Sequence, residues 1–459
     1  MKKSTKLISL ILAFILSAAA LSGCVNTPPS GDPTHEPISS PTQSASEPTA
    51  VPNNSTIRLT GIRPANGTGA YAEGLPEKGY IDASNAFAAA LVNAMGENWT
   101  GVVSPVSFGI LLEMLANGAD ADQSVAIIKA MLSELGLDAT NENAARLISV
   151  LTAPADTTAK QPGTPSKFNL NSAIIVSDSD SFTANFEKTL ADHFKASIGN
   201  IDFNDTEKAL ATINGWVNEH TNGLIPELFD QIYPDTAMVL LNALYFNGTW
   251  KTPFVTFRGD PDTRGSEISM FNGVNGEQPI SMLTATANYL CGEFDGDQVV
   301  LVPYADEEYY MAVILPRDGK APSAALADTI GRFSECVSAP AYLAMPAIEL
   351  STSFDAIGSS VLDRLGLGDI ANGSMQFPGI VEEGSIRLDQ FVHAATLRVT
   401  ESGTEAGAAS GASGSKSAPS EPVYRVVCNR PYAMAIVHAE TGAVLFASTV
   451  NEIPAGEYK

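Results

Sequence analysis

The chain is poor in positive charge. Its 459 residues carry 26 lysines and arginines against 51 aspartates and glutamates, a formal charge of −25. Nucleic acid and anionic lipid surfaces are therefore poor partners, because binding phosphate takes clustered Lys and Arg. Histidine is scarce as well: of the five, His35 lies in a Pro- and Ser-rich stretch, and no HExxH or Cys/His metal spacing occurs. No metal and no cofactor is expected. The chain also lacks a GxSxG elbow and a phosphate-binding loop, and the carboxylate pairs Glu307-Glu308 and Glu382-Glu383 lie in polar, turn-like settings where solvation explains them. It is not expected to be an enzyme. Cysteine numbers four, and beyond Cys24 an odd, widely spaced set remains: Cys291, Cys336 and Cys428. That is no disulfide framework, so these three read as small buried hydrophobes. No internal repeat is evident.

The N-terminus is informative. Lys2, Lys3 and Lys6 precede an apolar run from Leu7 to Phe14 that continues to Ala20, which predicts a secretory signal over residues 1–23 rather than a spanning helix. Leu21-Ser22-Gly23-Cys24 resembles a bacterial lipobox. That resemblance implies an extracellular protein, tethered outside the cytoplasmic membrane through lipidated Cys24 or else secreted, with no other membrane contact. Residues 24–75 are rich in Pro, Ser, Thr, Asn and Gly and too poor in apolar groups to offset the entropy of ordering, so a disordered stalk is expected ahead of a folded domain at 76–459. Within the stalk, Gly67-Thr68-Gly69 with Ala72 matches a dinucleotide-binding loop superficially, but no βαβ pattern surrounds it.

In the folded part, Phe87, Leu91, Val92 and Met95 recur at helical spacing, and Ser104-Pro105 opens a second apolar helix with a capping serine and proline at the first position. Phe182, Phe186, Leu190 and Phe194 predict another helix, and Leu350 to Gly366 also reads as helical. Residues 267–316 read as short strands alternating with turns. Helices early, strands late and no regular βα alternation predict an α+β fold with mainly antiparallel sheets.

One stretch organises the rest. From Glu401 to Pro419 nearly every residue is Gly, Ala, Ser or Thr. Upstream, Phe391, His393, Ala395, Leu397 and Val399 alternate as on a half-buried strand; downstream, two apolar runs flank the turn at His438 to Gly442 as in a hairpin. A loop this long on one domain is usually functional or disordered. At period two, Thr404, Ala406, Ala408, Ser410 and Ala412 share one face and Glu405 lies on the other, so the loop could enter a sheet without burying a charge.

Glu401-Ser402-Gly403-Thr404-Glu405-Ala406 resembles the hinge of a serpin reactive-centre loop. The segments Ser104 to Ala119, Ile213 to Phe229, Leu241 to Phe254, Val302 to Pro316 and Asn429 to Ser448 are similar to serpin signature segments in the same order. The resemblance implies a serpin fold, with large β-sheets, helices packed around them and an exposed reactive-centre loop. It implies a monomeric suicide substrate of serine proteases, whose loop inserts into the main sheet after cleavage. It assigns the hinge to Glu401, Gly403, Thr404, Glu405, Ala406, Ala408 and Ala409, and a sheet-opening region to Ser107, Asn242, His393 and Trp250. Counting from the hinge places the reactive bond at Ser417-Ala418, which suits an elastase-like or subtilisin-like protease. One residue fewer gives Lys416-Ser417, which suits a trypsin-like one. A serpin-fold surface lipoprotein that does not inhibit is the alternative reading, although no bulky or charged group stands on the inward face of the hinge.

Overall fold

A computed structural model of the chain describes residues 61–69, 71–133, 135–153, 165–257, 269–404 and 421–454. Strand β1 (Ile62–Pro64) leads to helix α1 (Lys78–Met95), strand β2 (Gly101–Val103) and helix α2 (Pro105–Ala116). As the sequence suggests, Ser104 caps α2 by accepting from the Ser107 N–H, and Pro105 fills the first helical position. Every residue of α2 is buried, as befits a helix that is apolar apart from Ser107 and Glu113. Helices α3 (Ala121–Leu132) and α4 (Leu137–Thr152) follow, then β3 (Lys167–Ser177), α5 (Ala184–Thr189) with a π-helical turn over Leu190–Phe194, β4 (Ser197–Ile201), α6 (Thr206–His220) and β5 (Met238–Thr249). The second half is strand-rich: β6 (Val255–Phe257), β7 (Ser269–Gly273), β8 (Gly276–Ile280), β9 (Met282–Phe294), β10 (Asp297–Pro303) and β11 (Tyr309–Leu315). Helix α7 (Pro322–Thr329) interrupts before β12 (Val337–Pro346), β13 (Ile348–Asp355), short helices α8 (Val361–Arg364) and α9 (Gly368–Ala371), β14 (Gln390–Val399) and β15 (Gly403–Thr404). Strands β16 (Tyr424–Val427), β17 (Tyr432–His438) and β18 (Val444–Val450) close the chain, the last two forming the expected hairpin.

The main sheet has the order β1-β4-β3-β5-β15-β14-β13, and a second sheet runs β16-β12-β9-β10-β11-β17-β18-β2 with β6 on β9. Pairing is mostly antiparallel; β3 with β4, β5 with β14 and β12 with β16 are parallel. Helix α2 lies between the sheets, touching β18 on one side and β3 and β5 on the other. On the opposite face of the main sheet, Ile213, Trp216 and Val217 of α6 pack with Phe229 over Ile175, Leu241, Val392 and Ala394. This cover explains why β14 is buried on both faces near its start rather than half-buried throughout: Phe391 stacks on Phe108 of α2 at 4.5 Å, while Val392 and Ala394 meet α6's layer.

Two segments differ from expectation. The stretch at Leu350 to Gly366 is not one helix: its first part belongs to β13, paired with β14 from Ile348↔Val399 to Asp355↔Val392, and only Val361–Arg364 is helical. Ladder partners override a weak helical pattern there. The end of the supposed stalk is also built into the fold. Strand β1 pairs with β4, and the chain then runs as a strap over α5, the π-helical turn and α4. Arg63 pairs with Glu187 at 2.5 Å, the Asn66 N–H donates to Glu187, and the Thr68 N–H and hydroxyl both donate to Asp192 Oδ1. Gly67 is needed for this approach, since a Cβ there would come 2.4 Å from Ala191 Cβ. Lys195 lies 3.1 Å over the Tyr71 ring, and the Ala72 and Glu77 N–H groups donate to Ser149 and Asn143 of α4. Short polar side chains make the strap look like linker, yet its backbone N–H groups, joined by the Thr68 hydroxyl, find acceptors on the elements beneath.

Beneath α1, α2 buries an acid. Glu113 is 2% exposed, and both its carboxyl oxygens lie within reach of the Tyr80 hydroxyl, at 2.9 and 3.3 Å. Burial pushes its carboxyl up to about 8, against an opposing pull from the Tyr80 hydrogen bond. Cys291, Cys336 and Cys428 are buried free thiols, as their spacing implies. Among the described residues no helix is long and apolar enough to cross a membrane.

Candidate functional site

The upstream end of the Gly/Ala/Ser-rich loop is already in the main sheet. Gly403 and Thr404 form β15 between two long strands, pairing with Thr249 and Gly248 of β5 and with Val399 of β14. Backbone contact is so close that a Cβ on Gly403 would sit 2.0 Å from the Gly248 carbonyl oxygen, so glycine is required there. Trp250 secures the entry: its backbone N–H donates to Ser402 O and its indole N–H to Thr400 O, both at 2.9 Å. The Phe254 N–H donates to Glu401 O, and the Thr256 hydroxyl donates to the Glu401 carboxylate, which this contact holds below its usual range. Thr404 is 1% exposed, and its hydroxyl meets the Tyr304 hydroxyl at 2.6 Å. Tyr304 in turn stacks on Trp250, with ring centroids 4.5 Å apart.

Below β15 the sheet is hardly closed. The ladder between β5 and β14 is confined, among the described residues, to Val239, Leu241 and Leu240 against Gln390, Val392 and Phe391. One step further, the register sets Asn242 opposite His393, and there the pairing stops. His393 is fully buried; its Nε2 accepts from the Ser104 N–H at 3.1 Å, so the proton sits on Nδ1, which has no partner among the described residues. Burial lowers the imidazole to about 3. Asn242 donates to Ser172 Oγ at 3.0 Å, but its Oδ1 is likewise without a partner among the described residues. Ser107 Oγ is the third such atom, and the Ser104 hydroxyl donates instead to Leu445 O. Three of the expected sheet-opening residues therefore lie on α2, β5 and β14 with unpaired polar atoms, without bonding one another directly. Trp250 lies apart, at the hinge end.

Composition gave no access to several partners of this site. Ser104 reads in the sequence as a helix cap at the start of a signature segment, yet it holds His393; Tyr304 lies inside another such segment without standing out from it, and Ser172 carries no motif signal. Glu405, Ala406, Ala408, Ala409, both versions of the reactive bond (Lys416, Ser417, Ala418) and Cys24 lie outside the described residues.

The profile of a family described as Serpin (serine protease inhibitor) matches residues 82–453. The chain belongs to the serpin family. Relatives of this serpin include the bovine (Bos taurus) Serpin A3-1, 27% identical over 362 residues, which span 76% of this chain and 82% of that protein. Serine protease inhibitor 42Dd of Drosophila melanogaster is 28% identical over 327 residues, 70% of this chain and 83% of that one. Among solved structures, the native state of the thermophilic serpin tengpin superposes with a TM-score of 0.71 at 22% identity, covering 85% of this chain and 98% of tengpin. Human glycosylated kallistatin gives 0.68 at 24% identity, covering 83% and 99%. The α+β architecture is thus the serpin fold, and the chain falls in a family of protease inhibitors rather than catalysts.

Proposed function

We propose that this serpin inhibits serine proteases as a suicide substrate. The observation that carries the reading is the incomplete ladder between β5 and β14, closed at one end by three rungs and occupied at the other by Gly403 and Thr404. A strand continuing from Thr404 would enter where backbone groups await partners, and its inward residues Ala406, Ala408 and Ser410 are small and uncharged. The loop binds a protease as substrate. The catalytic serine attacks the carbonyl carbon before the scissile bond, the amine leaves with the downstream chain, and an ester joins loop to enzyme. Insertion of the freed upstream strand then carries the protease along and distorts its triad, so water no longer cleaves the ester; such insertion is the form of β-augmentation for which serpins are known. The mechanism needs a native state held by a barrier rather than by its free energy.

Hinge spacing supports Ser417-Ala418 as the bond, with elastase-like or subtilisin-like targets; Lys416-Ser417 and a trypsin-like target follow from a register one residue shorter. The lipobox supports placement outside the cell on lipidated Cys24, with the inhibitor working as a monomer. The test incubates the purified protein with elastase, subtilisin and trypsin, followed by a denaturing gel and mass spectrometry of the released peptide. A denaturant-resistant complex is expected, with a new N-terminus at Ala418 or Ser417. Clean cleavage by every protease without complex would favour the non-inhibitory surface lipoprotein, and a dominant cut ahead of Ala412 would overturn both registers.

A further inference from the structure

The hydroxyl pair at the hinge is built with more care than a chance contact requires. Tyr304, fully buried just beyond β10, has its ring fixed on three sides: stacked on Trp250, edge-on to Phe246 at 5.0 Å, and against Gly248, where a Cβ would lie 2.5 Å from Tyr304 Cδ1. Its hydroxyl therefore has a set position, and what occupies that position is Thr404 Oγ1. Either oxygen can donate. Neither has another partner among the described residues, so each satisfies the other in a site without water access. Burial raises the phenol well above its ordinary range, so it stays neutral and able to donate at any ordinary assay pH.

We infer that Tyr304 is the positioning residue of the hinge: it holds Thr404 in the sheet as a preformed first rung, so that insertion after loop cleavage lengthens an existing strand instead of starting one. Starting a strand is the slow part, because backbone freedom is lost before ladder bonds compensate, and glycine loses most. Here Gly403 and Thr404 are ordered before the protease arrives. The inserting chain has only to extend along the open edges of β5 and β14, in competition with hydrolysis of the ester. Tyr304 thus acts on how cleaved molecules divide between trapped complex and released, spent inhibitor, without touching the protease. This rests on the inhibitory reading above.

The experiment compares the full chain with Tyr304→Phe, Thr404→Val and the double variant. Hydrogen exchange of the peptide containing residues 400–404 reports whether the hinge is held, and the stoichiometry of inhibition against whichever protease the unaltered chain traps reports partitioning. Tyr304→Phe keeps the ring packing and orphans the Thr404 hydroxyl. Exchange at 400–404 is expected to rise about tenfold, a fold-change ordinary for one buried hydrogen bond left unmade, while β17 and β18 peptides are unchanged and the stoichiometry at least doubles. The double variant leaves no orphan and should return both readouts toward the unaltered chain, which a merely structural loss would not do. Unmoved exchange in Tyr304→Phe overturns the inference, as does faster exchange with unmoved stoichiometry. If the unaltered chain traps no protease, the inhibitory reading fails separately. The gain in melting temperature on loop cleavage then replaces stoichiometry: a gain undiminished in Tyr304→Phe would overturn the role given to Tyr304.

Discussion

Replacing Glu113 by Gln should stabilise the protein, increasingly so as pH rises. The carboxyl is buried between α1 and α2 against Tyr80 and is held up at about 8, against 4.5 for the free group. Because the folded-state value is the higher one, this group's contribution is fully present below about pH 4.5 and is lost as pH climbs toward 8. At pH 7 the folded state must keep a proton that the unfolded chain would have released over roughly 2.5 pH units, a cost of about 3 kcal/mol at ~1.4 kcal/mol per unit. Gln keeps an acceptor and a donor for Tyr80 but adds a second N–H, and leaving that unpaired takes back about 1 kcal/mol. The net gain is then about 2 kcal/mol at pH 7, larger at pH 8, and absent or reversed near pH 5. Urea unfolding followed by circular dichroism at pH 5, 7 and 8 measures it, provided the slope of each transition is unchanged. A difference between the two proteins that does not vary with pH would refute the reasoning, whatever its size.

Acid should act through His393 in the opposite sense. Its folded-state value, about 3, lies below the 6.5 of a free imidazole, so the stability it contributes is present above pH 6.5 and is lost as pH falls toward 3. By pH 4.5 the loss is about 3 kcal/mol, and His393→Gln should flatten that limb of the unfolding midpoint; His438, lowered by burial to about 4, keeps a similar slope of its own that ends nearer pH 4. An acid limb as steep in the variant as in the unaltered chain would count against this assignment. Thr404→Arg should abolish trapping while the loop is still cut, because an unpaired guanidinium in the place of a side chain 1% exposed costs several kcal/mol. Undiminished complex on a denaturing gel would show that the hinge does not need that position.

What the sequence disclosed, and what it hid, divides along local and distant causes. Helix α2 was legible because its cap, its proline and its apolar run lie within a few residues of one another. The hairpin of β17 and β18 was legible for the same reason. β13 was misread as helix because what makes it a strand is β14, about forty residues on. The hinge stood out through composition, but its insertion did not, since that depends on Gly248, Trp250 and Tyr304 approaching from elsewhere in the chain. His393 could be singled out by resemblance, whereas its partner Ser104 is a matter of which backbone N–H happens to face the ring. Small polar residues were the common source of error: in the strap they resemble linker because nothing in their identity reveals whether water or protein will satisfy them.

The strap also has a mechanical side. Strand β1 lies antiparallel along β4, its rungs joining Ile62 to Gly199 and Pro64 to Ser197. Ladder bonds run across the strands, so a pull on the chain ahead of Gly61 directed along β1 loads all the rungs at once, in shear. The same pull directed away from the sheet loads them one after another and unzips them. Past the rungs, the load passes to Gly67 wedged against Ala191, to the pair between Thr68 and Asp192, and finally to α4 through Ser149 and Asn143. Tension arriving from upstream is thereby divided between the edge of the main sheet and the helices behind it. The direction of the pull, more than its size, decides whether the edge strand stays on.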